Sequence, residues 1–253
     1  MKEQISIVTV TYNAANYIVD TIQSVISQTY PNKEYVIIDG NSNDGTQDIV
    51  KKYADKIDVF VSETDKGIYD AMNKAIDRAS GEWIIFMNAG DSFYNNQVIA
   101  DIFENKDYTG IDVIYGSTCY NYSWGNTIIL PRASTQLSKR MPFVHQSVFT
   151  RTSIMKDRHF NSQYRICADF DFFHWLYENG GSFKEVEAVV SNYAGDGISR
   201  VNIIKEYDEI ERIIQTPKTF ASSIRRALFI FRSKLNYILP EALISWYRKM
   251  RYN

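Results

Sequence analysis

Polar side chains able to do chemistry recur in this 253-residue chain directly after short apolar runs. Ile5–Val10 leads into Thr11-Tyr12-Asn13, and Tyr35–Asp39 ends on a carboxylate. Ile57–Ser62 leads into Glu63-Thr-Asp65-Lys-Gly67, and Trp83–Met87 into Asn88-Ala-Gly-Asp91. Any one of these loops fits ordinary turn chemistry, because Asp, Asn and Gly favour turns. Four at the carboxyl ends of strands in one sheet point to a ligand site, since open parallel sheets bind ligands beyond those ends. No G-x-G-x-x-G follows the first strand and no G-x-x-x-x-G-K-[ST] is present, which disfavours a dinucleotide fold of the usual kind and excludes a P-loop. Phosphates without a glycine cradle are most simply neutralised by a divalent cation, Mg²⁺ or Mn²⁺, held on oxygen ligands. Asp91 is the leading candidate ligand; the alternative is that it caps a helix beginning after Ser92.

A second acid stands apart. Asp169, Phe172, Phe173 and Leu176 fall at i, i+3, i+4, i+7 of a helix, so the carboxylate shares a stripe with apolar neighbours while Asp171 points to the opposite face. An inward carboxylate is desolvated, which suits a general base, although a buried cap or an ion-pair partner would read the same way. His145-Gln146 precedes a strand and either approaches a ligand or is ordinary loop; His159 and His174 read as surface or packing residues. Gly195-Asp-Gly-Ile-Ser199 reads as a loop able to close over a ligand, or as a plain turn.

These groups must be positioned by a regular frame. Ile18, Ile22, Val25 and Ile26 mark one helical face after the first strand, and Ile68, Met72, Ala75, Ile76 and Ala79 mark another before Ser80-Gly81. With Thr46–Lys56 also helical, the first hundred residues alternate strand and helix, which predicts a mainly parallel sheet covered on both faces. Beyond it, strands are expected at Asp112–Thr118, Thr127–Leu130, Gln146–Thr150 and Phe183–Tyr193, with a helix from about Cys167 to Glu178. From Asn202 the pattern is helical, interrupted at Pro217 and Pro240.

Composition bounds the class. At 45% hydrophobic and 23% charged, the chain is an ordinary globular protein of one to two domains rather than a fibre or a disordered tract. Two cysteines without a C-x-x-C pair argue against a disulfide scaffold or a cysteine zinc site and suit a reducing cytosol. No secretory signal is expected from the short run Ile5–Val10, and no stretch approaches the ~20 apolar residues that span a bilayer. Pro217–Asn253 carries eight basic residues against Glu241, a net of +7, which leaves −9 on the first 216 residues. An acidic body argues against nucleic acid as a partner. In the basic tail Ile224, Leu228, Phe231, Leu235 and Ile238 form one stripe, and Leu243, Ile244, Tyr247 and Met250 another. Such helices suit an anionic membrane surface, or pack on the main domain or a second subunit.

Five segments in order carry a resemblance: Thr9-Val-Thr-Tyr-Asn13, Ile37-Ile-Asp-Gly-Asn-Ser-Asn-Asp-Gly-Thr46, Gly67-Ile-Tyr-Asp-Ala-Met-Asn-Lys74, Ser80-Gly-Glu-Trp-Ile-Ile-Phe-Met-Asn-Ala-Gly-Asp91 and Ala168-Asp-Phe-Asp171. Over about residues 4 to 200 the chain resembles the inverting family 2 glycosyltransferases of the GT-A fold, particularly those that assemble bacterial surface polysaccharides. The resemblance implies an α/β, Rossmann-like domain over residues 1–200, with a nucleotide-sugar half (1–100), an acceptor half (101–200) and a basic helical extension (201–253). It implies that Thr11, Tyr12 and Asp39 hold the base and ribose of a nucleotide sugar, that Asp65 and Asn73 border the nucleotide and donor sugar, and that Asp91 binds the metal on the diphosphate. Asn13, Gly67, Asn88 and His145 complete the expected donor site, Asn88 through its carbonyl. Asp169 aligns with the acid that activates the acceptor. Many members carry a second Asp where Gly40 stands, so the base is open among UDP, the default, GDP and dTDP. Many also carry Asp-x-Asp where this chain has Asn88-Ala-Gly90, which leaves Asp91 as the one charged ligand.

The expected reaction is a single displacement. Asp169 takes the proton of an acceptor hydroxyl, which attacks the anomeric carbon opposite the nucleotide and inverts its configuration. The membrane-facing tail suits a lipid-linked saccharide acceptor and a peripheral place at the inner face of the cell membrane. The alternatives are a non-catalytic nucleotide-sugar-binding or membrane scaffold module and a sugar nucleotidyltransferase, although the glycine-rich basic loop of the latter is absent.

Overall fold

The computed structural model describes residues 3–122, 125–193, 203–217 and 219–238. The chain divides into two compact units, Met1–Gly195 and Asp196–Asn253.

The first unit is built on β1 (Ile5–Thr11), every residue of which is buried. That is the signature of a central strand covered on both faces, and it explains why its sequence is a continuous apolar run rather than an alternating one. β2 (Lys33–Asp39) and β4 (Trp83–Phe86) flank β1 in parallel, and β3 (Val59–Ser62) extends the sheet beyond β2. The crossovers are α1 (Ile18–Ile26), α2 (Thr46–Lys51) and α3 (Ile68–Arg78). Ile18, Ile22 and Val25 of α1 and Met72, Ala75 and Ile76 of α3 are buried, as the spacing predicts.

The second half of the sheet is mixed. β8 (Val148–Arg151) runs antiparallel to β4, β6 (Val113–Tyr122) antiparallel to β8, and β9 (Phe183–Tyr193) parallel to β6, giving the order β3-β2-β1-β4-β8-β6-β9-β5 with β7 (Gly125–Ile129) on β6. The α/β architecture is therefore as expected, with the parallel part confined to the first four strands and the β6–β9 pair.

Several local expectations change. Thr46–Lys56 is helical only to Lys51 before a short 3₁₀ turn at Ala54–Lys56. No helix follows Ser92: Ser92–Phe93 is instead β5, paired with β9, and α4 begins at Val98 (Val98–Phe103). Asp91 therefore caps no helix there. His145–Ser147 is a 3₁₀ turn and not the start of a strand. A further short helix, α5 (Thr152–Asp157), precedes α6 (Ala168–Glu178).

The second unit contains α7 (Ile203–Ile213) and α8 (Phe220–Ile238). Arg226 donates two hydrogen bonds to Asp208 at 2.7 and 2.8 Å, and Tyr207 stacks on Phe229 with ring centroids 4.4 Å apart. Ile224, Leu228 and Phe231 of α8 are exposed. No helix among the described residues is long and apolar enough to cross a membrane. The loop Gly195–Ser199 and the stripe Leu243–Met250 lie outside the described residues.

Candidate active site

Because β1 to β4 run parallel, the segments after Thr11, Asp39, Ser62 and Phe86 meet at one edge. β8 runs antiparallel to β4, so the turn before it, His145–Ser147, arrives at the same edge. α6 brings Asp169 to the same place, where it meets Tyr69 in the first turn of α3.

The first loops brace each other. Asn13, at a positive φ of 48°, gives its backbone N–H to Ser42 Oγ (2.8 Å), while its Oδ1 accepts the N–H of Asn43 (3.0 Å). Ala14 N–H donates to Thr46 Oγ1 and Ala15 N–H to Asp44 Oδ2. Asn13 is thus occupied in joining two loops. Asp39 is fully buried; its Oδ2 accepts Ser42 N–H (2.9 Å) and Ser62 Oγ (2.6 Å), and its Oδ1 accepts the Ser42 hydroxyl. One lone-pair direction of Oδ1 is left by these bonds. Tyr12, by contrast, is 65% exposed. Its ring lies against Gly40, where an added methyl would stand 3.2 Å from the ring and collide with the Asp65 carboxylate. Gly40 therefore admits Asp65 beside the exposed Tyr12 ring. Asp65 Oδ1 also accepts the N–H of Gly67 (2.8 Å), whose φ of 121° lets the chain enter α3.

Asn73 joins α3 to a distant backbone. Its Nδ2 donates to the Phe160 carbonyl and its Oδ1 accepts the Phe160 N–H, both at 2.9 Å. The amide clamps the backbone of Phe160, and one Nδ2–H and one lone pair of Oδ1 remain beyond these two bonds.

Asn88 and Asp91 share one turn, closed by the Asp91 N–H on the Asn88 carbonyl (2.9 Å). Thr21 of α1 pins it, accepting Gly90 N–H (3.0 Å) and donating to the Asp91 carbonyl (2.7 Å). Asp91 is 7% exposed, and its Oδ2 accepts Gln146 Nε2 at 2.9 Å. Among the described residues no three His, Cys, Asp or Glu side chains gather as a metal cluster. The donor set still fits a divalent cation, because Asn88 Oδ1 is buried without a hydrogen-bond partner in the same turn as the Asp91 carboxylate. One carboxylate and one carbonyl suit an ion that takes its remaining oxygens from phosphates and water.

Asp169 has 22% of its side chain exposed, enough to be reached. Its Oδ1 accepts the N–H of Phe170 (2.9 Å) and lies 3.0 Å from Tyr69 OH, whose one proton is shared with the nearer Ile166 carbonyl at 2.6 Å, and His145 Nδ1 stands 3.8 Å from its Oδ2. Burial pushes the Tyr69 phenol well up, so it stays a donor, with the Asp169 charge acting in the same direction. Burial also lowers the His145 imidazole, against the opposing pull of Asp169. Asp171 is the more enclosed acid at 13% exposure, but it pairs with Arg158 at 2.8 Å, and that guanidinium sits 4.7 Å from the Trp175 ring centre. Burial alone would thus rank Asp171 first. Asp169 is distinguished by having no lysine or arginine partner among the described residues. Its stripe-mates Phe172, Phe173 and Leu176 are buried as predicted.

Six buried side-chain atoms among the described residues lack a partner, and four of them belong to Thr11, Asn88 and His145. Leaving a buried polar atom unmade costs about 1–3 kcal/mol, so orphans gathered at one edge mark a place kept for something else. The sequence assigns Tyr69 no role, although it lies inside the segment Gly67–Lys74, and leaves Gln146 with His145 either near a ligand or in ordinary loop; the fold adds their contacts with Asp169 and Asp91. His159 pairs with Asp77 and His174 with the Leu137 carbonyl.

Comparison with known proteins bears on the family and the fold. The PGL/p-HBAD biosynthesis glycosyltransferase of Mycobacterium bovis is 31% identical over 260 residues, covering 96% of this chain and 97% of that protein. The putative teichuronic acid biosynthesis glycosyltransferase TuaG of Bacillus subtilis is 37% identical over 100 residues, or 38% of this chain and 40% of that one. Among solved structures, S. aureus TarS 1-349 in complex with UDP superposes with a TM-score of 0.65 at 21% identity, covering 83% of this chain but under two thirds (64%) of that one. The mannosyltransferase PcManGT of Pyrobaculum calidifontis, in complex with GDP-Man and Mn²⁺, gives 0.64 at 17% identity, covering 89% of this chain and 65% of that one. These two likenesses concern the fold. The family model described as Glycosyl transferase family 2 matches residues 6–177, and the chain belongs to that family.

Proposed function

We propose that the protein moves a sugar, with inversion, from a nucleoside diphosphate sugar to a hydroxyl of a lipid-linked saccharide in the assembly of a cell-surface polysaccharide or glycolipid. The observation that carries this reading is the meeting of Asp169, unpaired with any described cation, and the Asn88–Asp91 turn at the sheet edge where Thr11 and Asn88 keep unpartnered oxygens. The names of its relatives, one in PGL/p-HBAD and one in teichuronic acid biosynthesis, support the reading of cell-surface assembly.

In this reading residues 1–100 hold the donor, 101–200 the acceptor, and 201–253 the basic extension. Tyr12 stacks on the base beside Gly40, with Asp39 and Asp65 facing the base and ribose. UDP is the default nucleotide, supported by the UDP complex of TarS; the GDP-Man complex of PcManGT keeps GDP in the comparison. Asp91 and Asn88 would hold Mn²⁺ or Mg²⁺, whose chemistry there is to offset the charge of the departing diphosphate. Asp169 accepts the proton of the acceptor hydroxyl through Oδ2, since Oδ1 already accepts the N–H of Phe170 and faces Tyr69 OH. The hydroxyl oxygen bonds to the anomeric carbon as the bond to the diphosphate breaks, and no covalent enzyme intermediate is needed. The apolar face of α8, with Arg225 beside it, rests on an anionic membrane surface, which places the enzyme where a lipid-linked acceptor resides.

The test is thermal stabilisation by UDP, GDP, dTDP and CMP with and without Mn²⁺, followed by turnover, read as nucleoside diphosphate released from the matching sugar nucleotide. A ligand at 100 times its Kd adds about 2.7 kcal/mol. One nucleotide should respond, more strongly with Mn²⁺, and Asp169→Asn should keep that response while losing about 10²–10⁴ in turnover. Turnover of Asp169→Asn at the wild-type rate would refute the assignment of the base.

A further inference from the structure

His145 is buried in a way that its own packing does not explain. Its side chain is 9% exposed and neither ring nitrogen has a hydrogen-bond partner. The ring is walled by Phe86, Phe160 and Phe173, with centroids 5.1, 5.7 and 6.2 Å away. An aromatic hydrocarbon would fill such a cage without stranding two polar atoms. The polar group it does approach is Asp169, whose Oδ2 lies 3.8 Å from Nδ1.

The turn that carries His145 is anchored on three sides. Ser147 Oγ lies 2.7 Å from both Thr118 Oγ1 and Ser191 Oγ and donates to the Ser117 carbonyl at 3.1 Å. Gln146 holds Asp91. The Asn73 clamp on Phe160 fixes one wall of the cage from α3. The imidazole is therefore the stationary partner and the Asp169 carboxylate the movable one. Oδ1 is tethered by the N–H of Phe170 and the shared Tyr69 proton, and a small turn of the side chain about that tether carries Oδ2 toward or away from Nδ1.

The geometry points to His145 as a positioning residue: its Nδ1–H donates to Asp169 Oδ2 when the site is filled, and fixes the carboxylate so that a second lone pair on Oδ2 meets the acceptor hydroxyl. This rests on Asp169 being the base. It gives His145 a different task from the donor contact expected from sequence. A neutral imidazole has one N–H to give, and the orphaned Nδ1 is the nitrogen that faces the carboxylate. Closing the gap to a normal N–H···O distance of about 3.0 Å takes a shift of under ~1 Å, the kind of tightening that accompanies substrate binding.

The test compares His145→Phe, His145→Asn and His145→Gln with Asp169→Asn, reading nucleoside diphosphate release and the KM for the sugar nucleotide that stabilises the protein. His145→Phe keeps the cage filled and should lower kcat about 10–100-fold with donor KM within about twofold, the loss expected when a reacting group is misplaced by about an ångström. His145→Asn offers an N–H near the position of Nδ1 and should recover most of that loss; His145→Gln, whose N–H lies farther out, should not. If the Phe variant does not fold, the contrast between Asn and Gln decides. Wild-type kcat in His145→Phe, equal losses in Asn and Gln, or a raised donor KM at unchanged kcat each overturns the proposal. Asp169→Asn separates the two readings: if it is inactive while His145→Phe turns over normally, only the role of His145 fails.

Discussion

Asn73→Ala separates positioning from substrate contact. In the protein its amide satisfies both backbone groups of Phe160, each bond at 2.9 Å, and Phe160 itself is 3% exposed. Removing the amide leaves one N–H and one C=O of a buried residue without partners. At about 1 kcal/mol for each bond the loss is about 2 kcal/mol. For a chain of this size that is a fall in Tm of roughly 4–8 °C. Asn73→Asp should do no better, because a carboxylate can accept the Phe160 N–H but faces the carbonyl with another lone pair. Denaturant unfolding, the nucleotide Kd and turnover are measured on the same preparations. The clamp reading expects lower stability, a nucleotide Kd within about twofold of wild type, and reduced kcat as the Phe160 wall beside His145 loosens. Full stability together with a tenfold weaker nucleotide Kd would refute it and return Asn73 to the donor site.

Gly40→Ala places a methyl where Asp65 and the Tyr12 ring now approach, and the displaced group is the end of a side chain. Nucleotide affinity should fall at least about tenfold while unfolding free energy changes by about 1 kcal/mol or less; an unchanged Kd by calorimetry would count against the Tyr12 platform. Asp171→Asn breaks the pair with Arg158 and should cost about 1–2 kcal/mol in denaturant unfolding with kcat unchanged, the reverse of Asp169→Asn. Burial holds the His145 imidazole below its ordinary 6.5, so below that value the unfolded chain binds a proton the folded one resists. Its contribution is complete above 6.5 and is lost as pH falls toward the lowered folded value; the Tm of His145→Phe should gain on wild type between about pH 7.5 and about pH 5.5, and parallel curves would contradict this. Leu228→Asp with Phe231→Asp should abolish sedimentation with vesicles rich in anionic lipid, whereas equal binding of variant and wild type would remove α8 from the membrane contact.

The sequence by itself determined the elements whose causes are local. Continuous apolar runs at Ile5–Val10 and Tyr35–Ile38 made buried parallel strands, and the 3.6-residue stripes of Ile18–Ile26 and Ile68–Ala79 made their covering helices, because period and burial are written in consecutive residues. The polar edge was legible for the same reason, and so was the apolar stripe of Phe172, Phe173 and Leu176 that follows Asp169. Tertiary structure decided what depends on partners far along the chain. Asn73 meets Phe160 across 87 residues, Tyr69 meets Asp169 across 100, and Gln146 meets Asp91 across 55. A side chain with two donors or acceptors reads alike whether it will bind a ligand or a distant backbone, and only the fold says which of its valences are already taken. The same holds for the acids of α6: helical spacing sets Asp169 and Asp171 on different faces, but only the fold brings the Arg158 guanidinium, from just after α5, to Asp171 and, among the described residues, no lysine or arginine to Asp169.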